Sequence, residues 1–183
     1  CSHSSFVFSQ FCFAKSKEEM NAPVVMLYFI SVGVFALGSF QAAIMARSSN
    51  YTRACWTFSA LCLGFSLFQL ACGMQYSATS FQAALSAHKW VNFFSVVLLP
   101  LIFYLVASLG SKPSAFRIAY AMAGTASLVI FYNFTSPFGY RFVQVYQDSL
   151  TSLPWGEQIW ILSGEATWAF RAVRLMALGL IVY

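Results

Sequence analysis

The sequence predicts an all-α protein, a polytopic transmembrane helix bundle of four full spans and an incomplete fifth, carrying a small extracytoplasmic β-hairpin-like loop. Three observations predict it. Of 183 residues, 60% are apolar and only 8% charged, with a mean hydropathy of +0.70, whereas soluble domains carry about 25% charged residues. The apolar residues fall into runs close to the roughly 20 residues a helix needs to cross a hydrocarbon core. Residues 134–167 differ in kind, mixing prolines and glycines with short alternating stretches. A surface this poor in charge does not stay dispersed in water. The composition therefore excludes a cytosolic enzyme, a nucleic-acid-binding module and a disordered tail. Aromatic residues make up 19% of the chain, with 20 Phe and 9 Tyr, which suits helices facing acyl chains and headgroups.

Residues 1–19, from Cys1 to Glu19, have mixed composition and precede Met20-Asn21-Ala22-Pro23. They read as a disordered or non-native tail: upstream sequence before a true start at Met20, a short periplasmic tail, or a lipid-modified Cys1. No A-x-A-like site follows the first apolar run, which argues against a secretory signal. The spans are expected at about Ala22–Ala46, Ala54–Tyr76, Trp90–Gly110 and Phe116–Asn133, and the first contains no charge. A fifth run, 172–183, has only about half the length a crossing needs, so the chain is expected to be a fragment of a longer protein.

Loop charges give an orientation. Arg47 and Arg53 lie between spans one and two, and Lys112 and Arg117 between spans three and four. Lys89 stands alone between spans two and three, and after span four Arg141 is set against Asp148, Glu157 and Glu165. The positive-inside rule puts the first and third loops in the cytoplasm and the N-terminus outside. Arg171 and Arg174, at the outer end of the fifth run, oppose this. Scattered in this way, the net charge of +5 reads as a topology signal rather than a polyanion site.

Within 134–167, Tyr140 through Tyr146 alternates aromatic and β-branched residues, and Gln158 through Leu162 does so more weakly. Both read as short strands flanking a turn region, a small hairpin lid over the bundle.

No catalytic set can be assembled, and neither a cofactor nor a metal site is expected. The four spans hold no acidic residue to relay protons or couple ions. Cys55, Cys62 and Cys72 share one apolar run, where cysteine packs as a small hydrophobe. The intramembrane polar residues Gln41, Gln69, Gln75, Asn92, Asn133, Tyr104 and Tyr120 read first as hydrogen-bonding glue between helices. If a ligand pocket exists, Asn92 and Gln75, nearest the outer face, are the candidates. His88 beside Lys89 reads as an interfacial anchor, or as a pH-sensitive or ligating histidine. Pro100 lies in mid-span and must bend or loosen its helix, either as a plain kink or as a hinge. Ala119, Ala123 and Ser127 recur every four residues and permit close helix approach. Two sequons begin at Asn50 and Asn133; glycosylation at Asn50 would reverse the orientation.

The region 22–183 resembles the N-terminal seven-helix membrane sensor region of bacterial signalling proteins, the type attached to histidine kinases and diguanylate cyclases. Trp56 through Cys72 resembles its second helix. Trp90 to Leu109, with Pro100 and Phe103 in a P-x-x-F arrangement, resembles its third. Leu153-Pro154-Trp155-Gly156-Glu157 resembles an LPWGE stretch between its fourth and fifth helices. The resemblance implies two further helices and a cytoplasmic output domain, a PAS module with a histidine kinase or a cyclic-di-GMP synthase. It also implies a bacterial cytoplasmic membrane and a homodimer, and carries over no catalytic residue. On this reading the chain is a sensory input module, with the bilayer as its surroundings and an unidentified molecule or physical force as stimulus. Trp155, Gly156 and Glu157 are then candidates for the stimulus-receiving lid, with Asn92 and Gln75 beneath and Pro100 as hinge. A transporter or permease fragment, or a membrane scaffold, remains the alternative.

Overall fold

The computed structural model describes residues 23–110, 113–152 and 158–182. The tail 1–19 and the candidate residues Trp155, Gly156 and Glu157 lie outside the described residues. The elements are α1 (Pro23–Ser48), α2 (Thr52–Tyr76), α3 (Phe81–Gly110), α4 (Pro113–Thr135), β1 (Phe142–Ser152), β2 (Gln158–Ala166) and α5 (Trp168–Val182). Helices α1 to α4 are long and apolar enough to cross a membrane. The chain is thus mostly helical with one small two-stranded sheet, as the hydropathy and the alternation led us to expect.

Consecutive helices pack against one another, and α5 touches both α3 and α4. The α1–α2 seam is built from small and hydroxylated residues. Ser59 donates to the Ser39 carbonyl at 2.8 Å, and Ser66 to the Val32 carbonyl at 3.1 Å. Tyr28 stacks on Tyr76 and Phe35 on Phe65. Where hydrocarbon surrounds the helices there is no hydrophobic drive between them, so close backbone approach and hydroxyl bonds hold such a seam.

The core lies on the other side of α3. Val96, Ala126, Val129, Tyr140, Ala169 and Val173 bring α3, α4, α5 and the hairpin base into one cluster. Phe103, Ala119 and Met122 continue it between α3 and α4. The buried stripe of α4 runs Ala115, Ala119, Met122, Ala126, Val129 and Asn133. Ser127 of the four-residue repeat is exposed. At 3.6 residues per turn, a strict four-residue spacing advances about 40° per step and leaves the buried face.

Several boundaries differ from expectation, β1 running on to Ser152 and β2 to Ala166 among them; three have a local reason. Helix α3 begins at Phe81 instead of near Trp90, because Ser80 accepts the Ala83 N–H at 3.3 Å and the Lys89 charge leaves the helix to reach a carbonyl elsewhere. Helix α5 begins at Trp168 because Thr167 caps it, its Oγ1 accepting the Phe170 N–H at 3.1 Å. Strand β1 begins at Phe142, since the Tyr140 backbone is tied to α4 and Thr167 and cannot join a ladder.

The strands are antiparallel, with Ser152 opposite Gln158 and Phe142 opposite Ala166. The register slips between Phe142 and Val145 and again before Gln147. Gly164 stands opposite Val145 at this irregularity, where a Cβ would collide with the Gln144 carbonyl. Glycine is the residue such a close backbone approach requires.

Candidate functional site, a polar cap at the hairpin end

The polar residues of the spans are not spread along the bundle. They gather at the end that carries the hairpin, between α2, α3, α4 and the chain leading into β1. Asn92 and Gln75 both belong to this cap, with His88 between them. His88 Nδ1 lies 3.3 Å from Gln75 Oε1; the oxygen can only accept, so Nδ1 carries the proton in this pair. The ring stacks on Phe142, centroids 5.8 Å apart. His88 is 3% exposed and Asn92 4%. One helical turn apart on α3, they share a face.

Asn133 is the hub. It is 1% exposed, donates from Nδ2 to the Lys89 carbonyl at 2.9 Å and accepts the Tyr140 N–H on Oδ1 at 3.1 Å. Lys89 returns the link through its ammonium, which donates to the Ser136 carbonyl at 2.7 Å. Between them the chain turns at Gly139, φ +78°, a conformation that L side chains rarely adopt. A Cβ there would also lie 2.8 Å from Asn133 Oδ1 and 3.2 Å from Asn92 Nδ2.

The links then leave the bundle. Thr167 Oγ1 donates to the Tyr140 carbonyl while capping α5, and the Thr167 N–H donates to the Arg141 carbonyl at 3.1 Å. Tyr140 is buried, which pushes its phenol up from the ordinary tyrosine value; it is neutral under physiological conditions. The base of the hairpin and the first turn of α5 are therefore fastened to α3 through two polar side chains, Asn133 and Thr167.

Two buried atoms of the cap, His88 Nε2 and Asn92 Nδ2, have no hydrogen-bond partner among the described residues. Isolated buried polar groups are costly, by about 1–3 kcal/mol each, and are concentrated where a structure holds strain or binds something. The cap has neither a nucleophile with a base nor a paired acid. Among the described residues no group of three His, Cys, Asp or Glu could hold a metal ion.

Pro100 does not belong to the cap. It follows Asn92 by eight residues on the same helix, roughly 12 Å along the axis. There it lines a shallow apolar groove of about 280 Å³ between α3 and α4, with Val97, Tyr104, Ala123 and Ser127. Helix α3 continues through it unbroken. Of the other polar span residues, Gln41 and Gln69 make no hydrogen bond among the described residues, so the glue expected of them comes from Ser39, Ser59 and Ser66. Cys62 and Cys72 are buried and Cys55 half-buried, all as free thiols.

Sequence reading assigns none of Gly139, Tyr140 and Thr167 to a site, and places Tyr140 in the first strand. A signal existed for two of them: Pro137-Phe138-Gly139 is turn chemistry, and a threonine directly before an apolar helical run is a capping signal.

Fold and site together define a bundle of four apolar, span-length helices with a hairpin fastened to one polar end. Comparison with family models, with curated proteins and with solved structures finds no match for this chain.

Proposed function

We propose that this chain is the membrane-embedded sensory input module of a bacterial signalling protein. It sits in the cytoplasmic membrane with the hairpin outside and passes an extracytoplasmic or membrane stimulus to a cytoplasmic output domain, a histidine kinase or diguanylate cyclase. One observation carries the reading: the Lys89–Asn133–Tyr140–Thr167 chain of hydrogen bonds couples the hairpin base to α3 and to the first turn of α5. A stimulus that binds the hairpin tighter in one arrangement than another shifts that equilibrium, and nothing else about it matters energetically. The turn of α5 is the element that carries the shift onward, in a homodimer surrounded by the bilayer.

The resemblance in Leu153 to Glu157 makes Trp155, Gly156 and Glu157 the receiving surface. The test uses the full-length protein in native membrane vesicles. Trp155→Ala and Glu157→Gln should abolish the stimulus-dependent change in phosphorylation or nucleotide synthesis while leaving carbonate-resistant membrane association intact. Normal responses from both variants remove the hairpin tip as receptor. Substrate accumulation in vesicles, with no output domain encoded downstream, replaces the sensor with a transporter.

A further inference from the structure

We propose that the hairpin end carries a binding site for the phosphate of an anionic phospholipid, formed by Arg141 of the hairpin base and Arg174 of α5 around the ring of Phe170. The Arg141 guanidinium carbon lies 5.2 Å from the Phe142 ring centroid and 5.3 Å from that of Phe170. Arg174 lies 5.1 Å from the Phe170 centroid. A guanidinium attracted to a ring by its quadrupole spends no hydrogen-bond donor on it, so its N–H groups stay available to an anion. Among the described residues, no hydrogen bond and no carboxylate within ion-pairing distance engages the guanidinium groups of Arg141, Arg171 or Arg174. Two like charges from separate elements are thus gathered on one ring with their donors free. Forked N–H edges of this kind match a phosphate, which accepts from two guanidiniums at once.

Position argues for a headgroup as the source. Trp168, 67% exposed, stands two residues before Phe170 and lies 5.9 Å from Tyr132. Trp90 and Phe134, also exposed, meet at 5.4 Å on the same end of the bundle. Amphipathic rings collected at one end of an apolar bundle mark the headgroup layer, and Phe170, which gathers the Arg141 and Arg174 guanidinium groups, lies within one helical turn of Trp168. A phosphate held by both arginines would bridge the hairpin base to α5, the same joint that Thr167 fastens from inside. The inference rests on membrane insertion but not on signalling.

Purified full-length protein in detergent would be titrated with dioleoylphosphatidylglycerol or dioleoylphosphatidylcholine and read by native mass spectrometry. The wild type should retain phosphatidylglycerol well above phosphatidylcholine, with about fivefold of that preference carried by each arginine. Arg141→Gln/Arg174→Gln should lose it, Arg141→Lys/Arg174→Lys should keep part, and Arg47→Gln/Arg53→Gln, at the opposite end, should keep it all. Equal retention by wild type and the first variant overturns the site, as does equal loss in the opposite-end control. If inorganic phosphate at millimolar concentration displaces phosphatidylglycerol completely, the site is one for free phosphate and the headgroup assignment falls. Insertion is scored separately by carbonate extraction, so a protein that inserts without lipid preference refutes this inference alone. A misfolded glutamine variant leaves the decision to the wild-type preference and the lysine pair.

Discussion

The side-chain amide of Asn133 accepts the backbone N–H of Tyr140 at 3.1 Å, across a turn in which Gly139 adopts a left-handed conformation. With its other end the same amide donates to the Lys89 carbonyl. One side chain thus satisfies two backbone groups from different elements inside a site closed to solvent. Replacing it by alanine strands both. Asn133→Ala should lower stability by about 2–4 kcal/mol, measured by reversible unfolding in mixed micelles. Thr135→Ala, two residues on, removes only an exposed hydroxyl shared between the Phe131 and Tyr132 carbonyls of its own helix and should change stability by less than about 0.5 kcal/mol. Equal effects from the two substitutions would deny Asn133 its role as hub.

Gly139 tests the same joint from the backbone. A Cβ there meets both Asn133 Oδ1 and Asn92 Nδ2, and the positive φ adds strain that an L residue must bear. Gly139→Ala should destabilise by about 2–3 kcal/mol. Gly124, in mid-α4 with nothing within 4 Å of an added Cβ, should go the other way, with Gly124→Ala gaining up to about 1 kcal/mol of helix propensity. Thermal midpoints of the two variants in one detergent check the opposition in sign.

How much of this was legible follows from what each signal depends on. The four long helices show in the sequence because a span needs a continuous apolar run, and Ala22–Ala46 or Phe116–Asn133 supplies one without reference to any neighbour. The hairpin shows because Tyr140 through Tyr146 carries a period-two pattern of aromatic and β-branched residues locally. Asn92 and Gln75 were legible as polar residues near one end, and His88 as the neighbour of Lys89, but not the bond from His88 to Gln75. His88 beside Lys89 reads as an interfacial anchor; its burial goes with Phe142, distant in sequence, lying over its ring. Lys89 is accommodated in its helix because Ser136, just past the end of α4, offers its ammonium a carbonyl. Such partners are set by tertiary packing, which overrides the local pattern. The α4 stripe was misplaced for a simpler reason, since a four-residue repeat and a helical turn differ by a fraction of a residue that accumulates.

Pro100 offers a separable test of motion. Proline in a helix interior costs about 3 kcal/mol and deprives the Val96 carbonyl of its partner. Pro100→Ala should therefore not lower the thermal midpoint, although it alters the lining of the groove shared with Tyr104 and Ala123. If Pro100 is the hinge, the full-length variant should insert and fold yet lose most of its stimulus-dependent output. A variant that responds like the wild type identifies a kink without a function.

Orientation turns on a balance closer than the loops suggested. Leaving aside Lys15 and Lys17 of the N-terminal tail, Arg47, Arg53, Lys112 and Arg117 fall in the first and third connections, while Lys89, Arg141, Arg171 and Arg174 fall in those toward the hairpin, four cations against four. Asp148, Glu157 and Glu165 all fall in the hairpin stretch, but acidic residues contribute little to the bias. The first helix usually dominates, so on the proposed orientation Arg47 and Arg53, directly after α1, are what hold their loop in the cytoplasm. Arg47→Gln/Arg53→Gln changes the ratio to two against four and should invert most molecules. Ser49→Cys, in the loop that follows α1, reports it with a membrane-impermeant maleimide on intact cells: unlabelled in the otherwise wild-type chain, labelled in the double variant. The native thiols serve as the background in a chain without Ser49→Cys. Labelling of the wild-type loop in intact cells would place the hairpin in the cytoplasm and end the proposal of an extracytoplasmic receptor. Protection in both chains would show that the bias lies elsewhere than in these two arginines.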